Sequence, residues 1–189
     1  MVVGIKTQKG IRMLIGIAGA QSVGKTTLLN ALRSEKFFKE YTVCDEVTRR
    51  VKSYGLPINE DGTGVTQRLI MNEHIVNVFL YENMLTDRTA LDGLVYSTYL
   101  FKHKKIDDRT MRYVNDVFSS VWCRYNEVFY IEPEFDIVDD GERSISKSFR
   151  DEIVDIFENT IEKKRLSVTR VKGSVRNRVD TIINILEGR

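Results

Sequence analysis

Six residues of nearly unbroken apolar character, Met13-Leu14-Ile15-Gly16-Ile17-Ala18, run directly into Gly19-Ala20-Gln21-Ser22-Val23-Gly24-Lys25-Thr26. An apolar run of this kind is what a strand buried on both faces of a parallel sheet looks like. The eight residues after it match the spacing Gly-x-x-x-x-Gly-Lys-Thr in full. Glycines at the first and sixth positions let the backbone wrap closely around a phosphate, with successive N–H groups pointing inward as an anion nest. From about Lys25 the chain reads as helix, with Leu28, Leu29 and Leu32 on one face. A helix that starts here places its positive N-terminus at the same phosphate. Strand, phosphate loop and helix in immediate succession confine the chain to folds in which a parallel sheet carries helices.

The rest of the chain has the same alternation. Strands are expected at 41–44, 83–86, 127–131 and 166–171. Helices are expected at 46–52, 65–81, 91–102, 109–122, 149–164 and 175–186, with a loop over 55–64 that holds Pro57, Asn59, Asp61 and two glycines. At 189 residues, and at roughly 150 per domain, this is one α/β domain over residues 13–189 with an N-terminal extension over 1–12. Hydrophobic residues make up 42% and charged residues 30%, a balance that excludes an intrinsically disordered chain. No run approaches the ~20 apolar residues of a membrane span, and Lys6, Lys9 and Arg12 are not followed by a cleavable signal. The expectation is a cytoplasmic protein without membrane association. Cys44 and Cys123 are too few for a metal cage and are expected as buried thiols. The net charge of +2 gives no general pull toward nucleic acid.

A phosphate loop does not say what becomes of the phosphate. A GTPase switch should carry an Asn-Lys-x-Asp guanine reader, and none occurs. An AAA-type motor should show four apolar residues running into Asp-Glu, whereas the Asp-Glu pairs at Asp45 and Asp151 lack that run or begin a helix. A small-molecule kinase fits. In it Lys25 reaches the β- and γ-phosphates of ATP and the Thr26 hydroxyl binds Mg²⁺, with the donor lying along Gly19, Gln21, Ser22, Val23, Gly24, Lys25, Thr26 and Thr27.

Three further groups follow strands, which puts them at the ligand-binding edge of a parallel sheet. Asp87 can hold Mg²⁺ or take a proton from an attacking hydroxyl, and Arg88 beside it can grip a phosphate or the acceptor. Asp92 is a second candidate, with an equally good reading as a helix cap. Glu46 and Arg49 share one face of a short helix. Glu46 there can act as base on a substrate hydroxyl, and Arg49 can bind a phosphate or orient Glu46. Asp139-Asp140-Gly141-Glu142-Arg143-Ser144, with Lys147 and Arg150 beyond, reads as a cationic lid over about 136–147 that neutralises charge on the transferring phosphoryl group. Tyr54, Phe79, Tyr96, Tyr99 and Phe101 read as core aromatics or as stacking partners for a base. His74 reads as a helix-face residue and His103 as a solvated one.

The set Gly19 to Thr26, Glu46-x-x-Arg49, Asp87 and Val138-Asp139-Asp140-Gly141-Glu142-Arg143-Ser144 resembles the ribosylnicotinamide kinase domain of the bifunctional NAD-biosynthesis regulators. More widely it is similar to the small AAA-like P-loop kinases around that domain, many of them phage-encoded. Asp87-Arg88 also resembles the acidic-Arg element of thymidylate and deoxynucleoside kinases. The resemblance spans roughly residues 13–187. It implies a P-loop kinase three-layer sandwich: a five-stranded parallel sheet in the order 2-3-1-4-5, helices on both faces and a lid. It implies catalytic roles for Lys25, Glu46, Asp87, Arg88 and Arg143, acceptor binding by Glu46, Arg49, Arg88 and Lys147, and metal binding by Thr26 and Asp87. The acceptor is then a small nucleoside or nucleotide in nucleotide metabolism, with the alternatives of a nucleic-acid end or base kinase and of a non-catalytic nucleotide-binding switch. A nucleic-acid partner is not favoured, and a homodimer stays open. The acceptor pocket is expected from residues 55–72.

Overall fold

The computed structural model describes residues 12–45, 47–133 and 147–188. Strand β1 (Met13–Ala18) is followed by helix α1 (Lys25–Arg33), β2 (Thr42–Cys44), α2 (Val47–Ser53) and α3 (Gly64–Leu80). Then come β3 (Asn83–Asp87), α4 (Ala90–Lys102), α5 (Asp108–Trp122), β4 (Glu127–Ile131), α6 (Lys147–Lys164), β5 (Thr169–Val171) and α7 (Val175–Glu187). The five strands form one sheet in the order β2-β3-β1-β4-β5, and every pairing is parallel. This is the fold and strand order expected from the sequence.

β1 is the central strand, and Leu14, Ile15, Ile17 and Ala18 are fully buried. On one side α1 packs with α7. On the other, α4 packs with α5 and α6, and α3 with α5. Right-handed crossovers from a 2-3-1-4-5 order place these two groups on opposite faces. Register decides what meets at the functional edge. Ile17 of β1 stands opposite Asp87 of β3, and Ala18 opposite Tyr130 of β4. The carboxyl ends of the three central strands are therefore level, and the segments leaving them converge.

Most element boundaries fall within a residue or two of expectation. β5 starts three residues later than the apolar pattern suggests. The chain leaves α6 through Arg165 at φ +50°, and the Leu166 amide donates back to the Ile161 carbonyl at 3.0 Å. Leu166 is thus spent on ending the helix. Cys44 is buried as expected, and burial pushes its thiol up to about 11. Cys123 is exposed, because it caps the end of α5 on the outer surface. No described helix is long and apolar enough to cross a membrane. Glu46, and the expected lid over 136–147 apart from Lys147, lie outside the described residues.

Candidate active site

The loop after β1 needs its glycines. Gly19 sits at φ +149° and Gly24 at φ +84°, and a Cβ on Gly19 would stand 2.9 Å from the Ile131 carbonyl oxygen. Between them Ser22 adopts φ +59°. α3, α4, α5 and α7 each begin under a side-chain cap, from Thr63, Thr89, Asp107 and Ser174. α1 begins at Gly24 with no side-chain cap. The N-terminus of a helix carries partial positive charge and attracts an anion. Lys25 is buried, and its Nζ donates to the carbonyls of Gly19 at 2.8 Å and Ala20 at 2.6 Å. The lysine arches over the loop and fixes its curvature.

β3 delivers Asp87 to the same place. The Thr26 hydroxyl donates to Asp87 Oδ2 at 2.7 Å, while Asp87 Oδ1 is buried with no hydrogen-bond partner. A hydroxyl and an orphaned carboxylate oxygen side by side, next to an anion nest, suit Mg²⁺. That ion takes one or two protein oxygens and completes its shell with water and phosphate.

Arg88 follows at φ +79°, a conformation that non-glycine residues rarely adopt. It is held there from several sides. Its amide donates to the Ile17 carbonyl at 2.9 Å and its carbonyl accepts the Thr86 hydroxyl at 3.1 Å. Its guanidinium lies 3.7 Å from Asp92 Oδ1 and 5.1 Å from the centre of the Tyr96 ring. Backbone strain over-determined in this way is typical of functional sites.

Asp92 is the helix cap read from the sequence. Its Oδ2 accepts the Thr89 amide at 2.9 Å and the Thr89 hydroxyl at 3.0 Å, which completes a capping box on α4. Its Oδ1 accepts the Gly19 amide at 3.3 Å, so it also ties α4 to the phosphate loop. Burial raises the Asp92 carboxyl above its ordinary value, against the pull of Arg88 and Lys25.

Beside this junction lies a narrow cleft. α2 contributes Thr48, the turn at Asn59–Asp61 contributes Asn59, α3 contributes Gln67, Ile70 and His74, and α4 contributes Gly93 and Tyr96, with Arg88 and Asp92 at the phosphate-loop end. Gly93 is needed for close packing, since a Cβ there would meet the Met71 sulfur at 2.4 Å. The Tyr96 hydroxyl donates to Gln21 Oε1 at 2.7 Å, a second tie between cleft and loop. His74 is buried with no hydrogen-bond partner at Nε2, and burial together with the Arg88 charge lowers its pKa to about 3. It is a neutral imidazole on the buried face of α3, in the cleft wall.

The structure thus brings Gly19, Gln21, Ser22, Val23, Gly24, Lys25 and Thr26 together with Asp87 and Arg88, while Thr27 is exposed on α1. Arg49 is exposed on α2 and does not line the cleft; its neighbour Thr48 does. Lys147 is exposed at the start of α6, two residues before Phe149, whose ring meets Tyr96 at 6.0 Å and Tyr99 at 4.7 Å. Glu46 and Arg143 lie outside the described residues. Of the aromatics, Tyr99 is core and Tyr96 is cleft, whereas Tyr54, Phe79 and Phe101 are exposed. His103 is paired with Glu152 at 2.9 Å. Residues 55–72 supply only part of the cleft wall. Thr48 and Gly93 were missed because they are bland residues within helices.

The model of an AAA domain family matches residues 14–178. The chain belongs to that family. Among solved structures, deoxyadenosine kinase from M. mycoides with dCMP and dCDP bound superposes with a TM-score of 0.69 at 15% identity, over 94% of this chain and 100% of that one. NadR protein in complex with NAD and AMP-PNP superposes with a TM-score of 0.70 at 14% identity, over 94% of this chain and 49% of that one, so the family domain here spans about half its length. YorR protein from Bacillus subtilis, in complex with phosphorylated GDP, gives 0.56 at 16% identity over 93% and 96%. No curated protein matches the chain in sequence. At these identities the likeness shows the fold, that of a P-loop nucleoside or nucleotide kinase, and the resemblance read from the sequence is borne out.

Proposed function

We propose that the chain is an ATP-dependent kinase that transfers the γ-phosphate to a nucleoside or nucleotide. The observation that carries this reading is that the phosphate loop adjoins a cleft lined by Thr48, Gln67, Arg88 and Tyr96, the two tied together by Asp92 at Gly19 and Tyr96 at Gln21. Solved structures of this fold contain an ATP analogue in NadR and deoxycytidine nucleotides in the deoxyadenosine kinase. The loop amides, the α1 N-terminus and Lys25 take the donor phosphates. Thr26 and Asp87 would hold Mg²⁺, which supplies positive charge to the β- and γ-phosphate oxygens when bound. With Asp87 engaged by the Thr26 hydroxyl, the acceptor-side base falls to Glu46, two residues before the cleft residue Thr48. Arg88 faces the cleft from the phosphate-loop end and orients the acceptor toward the donor. Arg143 and Lys147 act as lid cations on the transferring group.

The test is ADP formation from Mg·ATP with nucleosides, nucleoside monophosphates, nicotinamide riboside and oligonucleotides offered in turn. A small nucleoside or nucleotide should stimulate turnover. Stimulation by oligonucleotides alone would assign a nucleic-acid kinase. ATP binding without stimulation by any acceptor would assign a switch.

A further inference from the structure

α7 reaches across to the phosphate loop from the far end of the chain. Arg178, the fourth residue of the helix, is 1% exposed, and its Nη1 donates to the Val23 carbonyl at 2.7 Å, a contact between residues 155 apart in sequence. The next peptide group makes this contact informative. A peptide unit is planar, so the Val23 carbonyl and the Gly24 amide point in opposite directions. Fixing the carbonyl outward toward Arg178 fixes the Gly24 N–H inward, among the donors of the anion nest. The choice is not settled by the loop itself. Gly24, at φ +84°, carries no side chain, and glycine tolerates the flipped orientation of this peptide about as well. The guanidinium also backs the loop closely, 3.5 Å from where a Cβ on Gly24 would lie. A buried guanidinium is costly unless its charge is used. Here it stands behind a site built for phosphates and adds to the field of Lys25.

We infer that Arg178 is a positioning residue for the donor phosphates. By locking the Val23–Gly24 peptide it preforms the phosphate loop, and it makes the docking of α7 on α1 a condition of nucleotide affinity. The inference rests on the loop being an ATP site, and its test is chosen so that the two can fail separately.

The test is calorimetric titration of the whole chain with Mg·AMP-PNP, with a thermal melt of each variant. Arg178→Met keeps much of the packing and removes the donor, and should weaken binding about tenfold or more, the loss expected of a charged hydrogen bond. Arg178→Lys should recover part of that loss. Arg176→Met, on the exposed side of the same helix, should bind as the wild type does, since the Arg176 side chain is 75% exposed. Once an acceptor is known, Arg178→Met should raise KM for ATP and leave the acceptor KM unchanged, a split that mere loss of stability would not give. If the methionine variant does not fold, Arg178→Gln takes its place. If that also fails, Arg178→Lys decides, with a loss of about threefold expected. Wild-type affinity in the least arginine-like variant that folds overturns the inference, as does an equal loss in Arg176→Met. A wild-type chain that binds no Mg·AMP-PNP overturns the ATP-site reading and this inference with it.

Discussion

The phosphate loop hangs from β1, whose Leu14, Ile15, Ile17 and Ala18 lie fully buried in the principal core. The outer wall of the cleft rests on much less: Val47, Val51 and Ile70 form a separate small cluster between α2 and α3, with Leu56, Ile58 and Leu69 packed against it. The donor side is therefore braced by the whole sheet, by Asp87 and Asp92 and by Arg178. The proposed acceptor side is braced by a cluster separate from the core around the sheet. Phosphates are alike in every nucleoside triphosphate, so the geometry that binds them can be fixed deep in the fold. Acceptors differ, and the wall proposed to meet them rests on this separate small cluster.

The largest effect expected from breaking this contrast is on the donor side. Lys25→Ala removes the buried cation and the clamp on Gly19 and Ala20, and should lower phosphoryl transfer about a hundredfold or more, with the far-ultraviolet circular dichroism unchanged. Near-normal turnover would remove the loop from the mechanism. Asp87→Asn should cost about ten- to a hundredfold and shift the Mg²⁺ requirement to higher concentration, because it weakens the oxygen proposed to hold the ion. An unchanged Mg²⁺ dependence would leave Asp87 only its bond to Thr26.

Effects on the acceptor wall should be smaller and one-sided. Ile70→Ala opens the small cluster and should raise the acceptor KM severalfold while KM for ATP stays put, at a stability cost of about 2–4 kcal/mol. Ile17→Ala, beneath the loop, should destabilise by at least as much and lose ATP affinity too. Equal responses of both KM values in Ile70→Ala would mean that the two regions are not separable.

The smallest effect is on pH dependence. His74 titrates near 6.5 when unfolded and near 3 in the fold. Between those values the unfolded chain binds a proton that the folded one does not, so stability rises with pH there. It should therefore fall as the pH drops below about 6.5, and be flat on this account above it. Urea unfolding of His74→Gln should show a shallower acid limb. An acid limb as steep as the wild type's would place the titration elsewhere.

The phosphate-loop half of the candidate site was legible in the sequence because local spacing determines it. Strand, glycines, lysine and hydroxyl lie within fourteen consecutive residues, Met13 to Thr26, and the sheet order follows from alternation and resemblance. Asp87 and Arg88 were legible as a pair that ends a strand. Arg178 was not. In an amphipathic helix among Arg176, Asn177 and Asp180 it looks like one more surface charge, and only a contact spanning 155 residues distinguishes it. His74 stands four residues from both Ile70 and Val78, so its burial follows the helical period, whereas its place in the cleft does not. Thr48, Asn59 and Gly93 carry little chemical signature, and their place in the cleft depends on how α2, α3 and α4 dock.

A kinase is defined by where the γ-phosphorus of ATP goes. Phosphorus-31 NMR of the protein with Mg·ATP and a mixture of nucleosides and nucleoside monophosphates follows that atom directly. The account predicts that the γ signal is replaced by a phosphomonoester or a new β-phosphate on the acceptor, in step with ADP, and that Lys25→Ala abolishes the change. A γ signal that is never consumed, or that passes only to inorganic phosphate whatever acceptor is present, would contradict it.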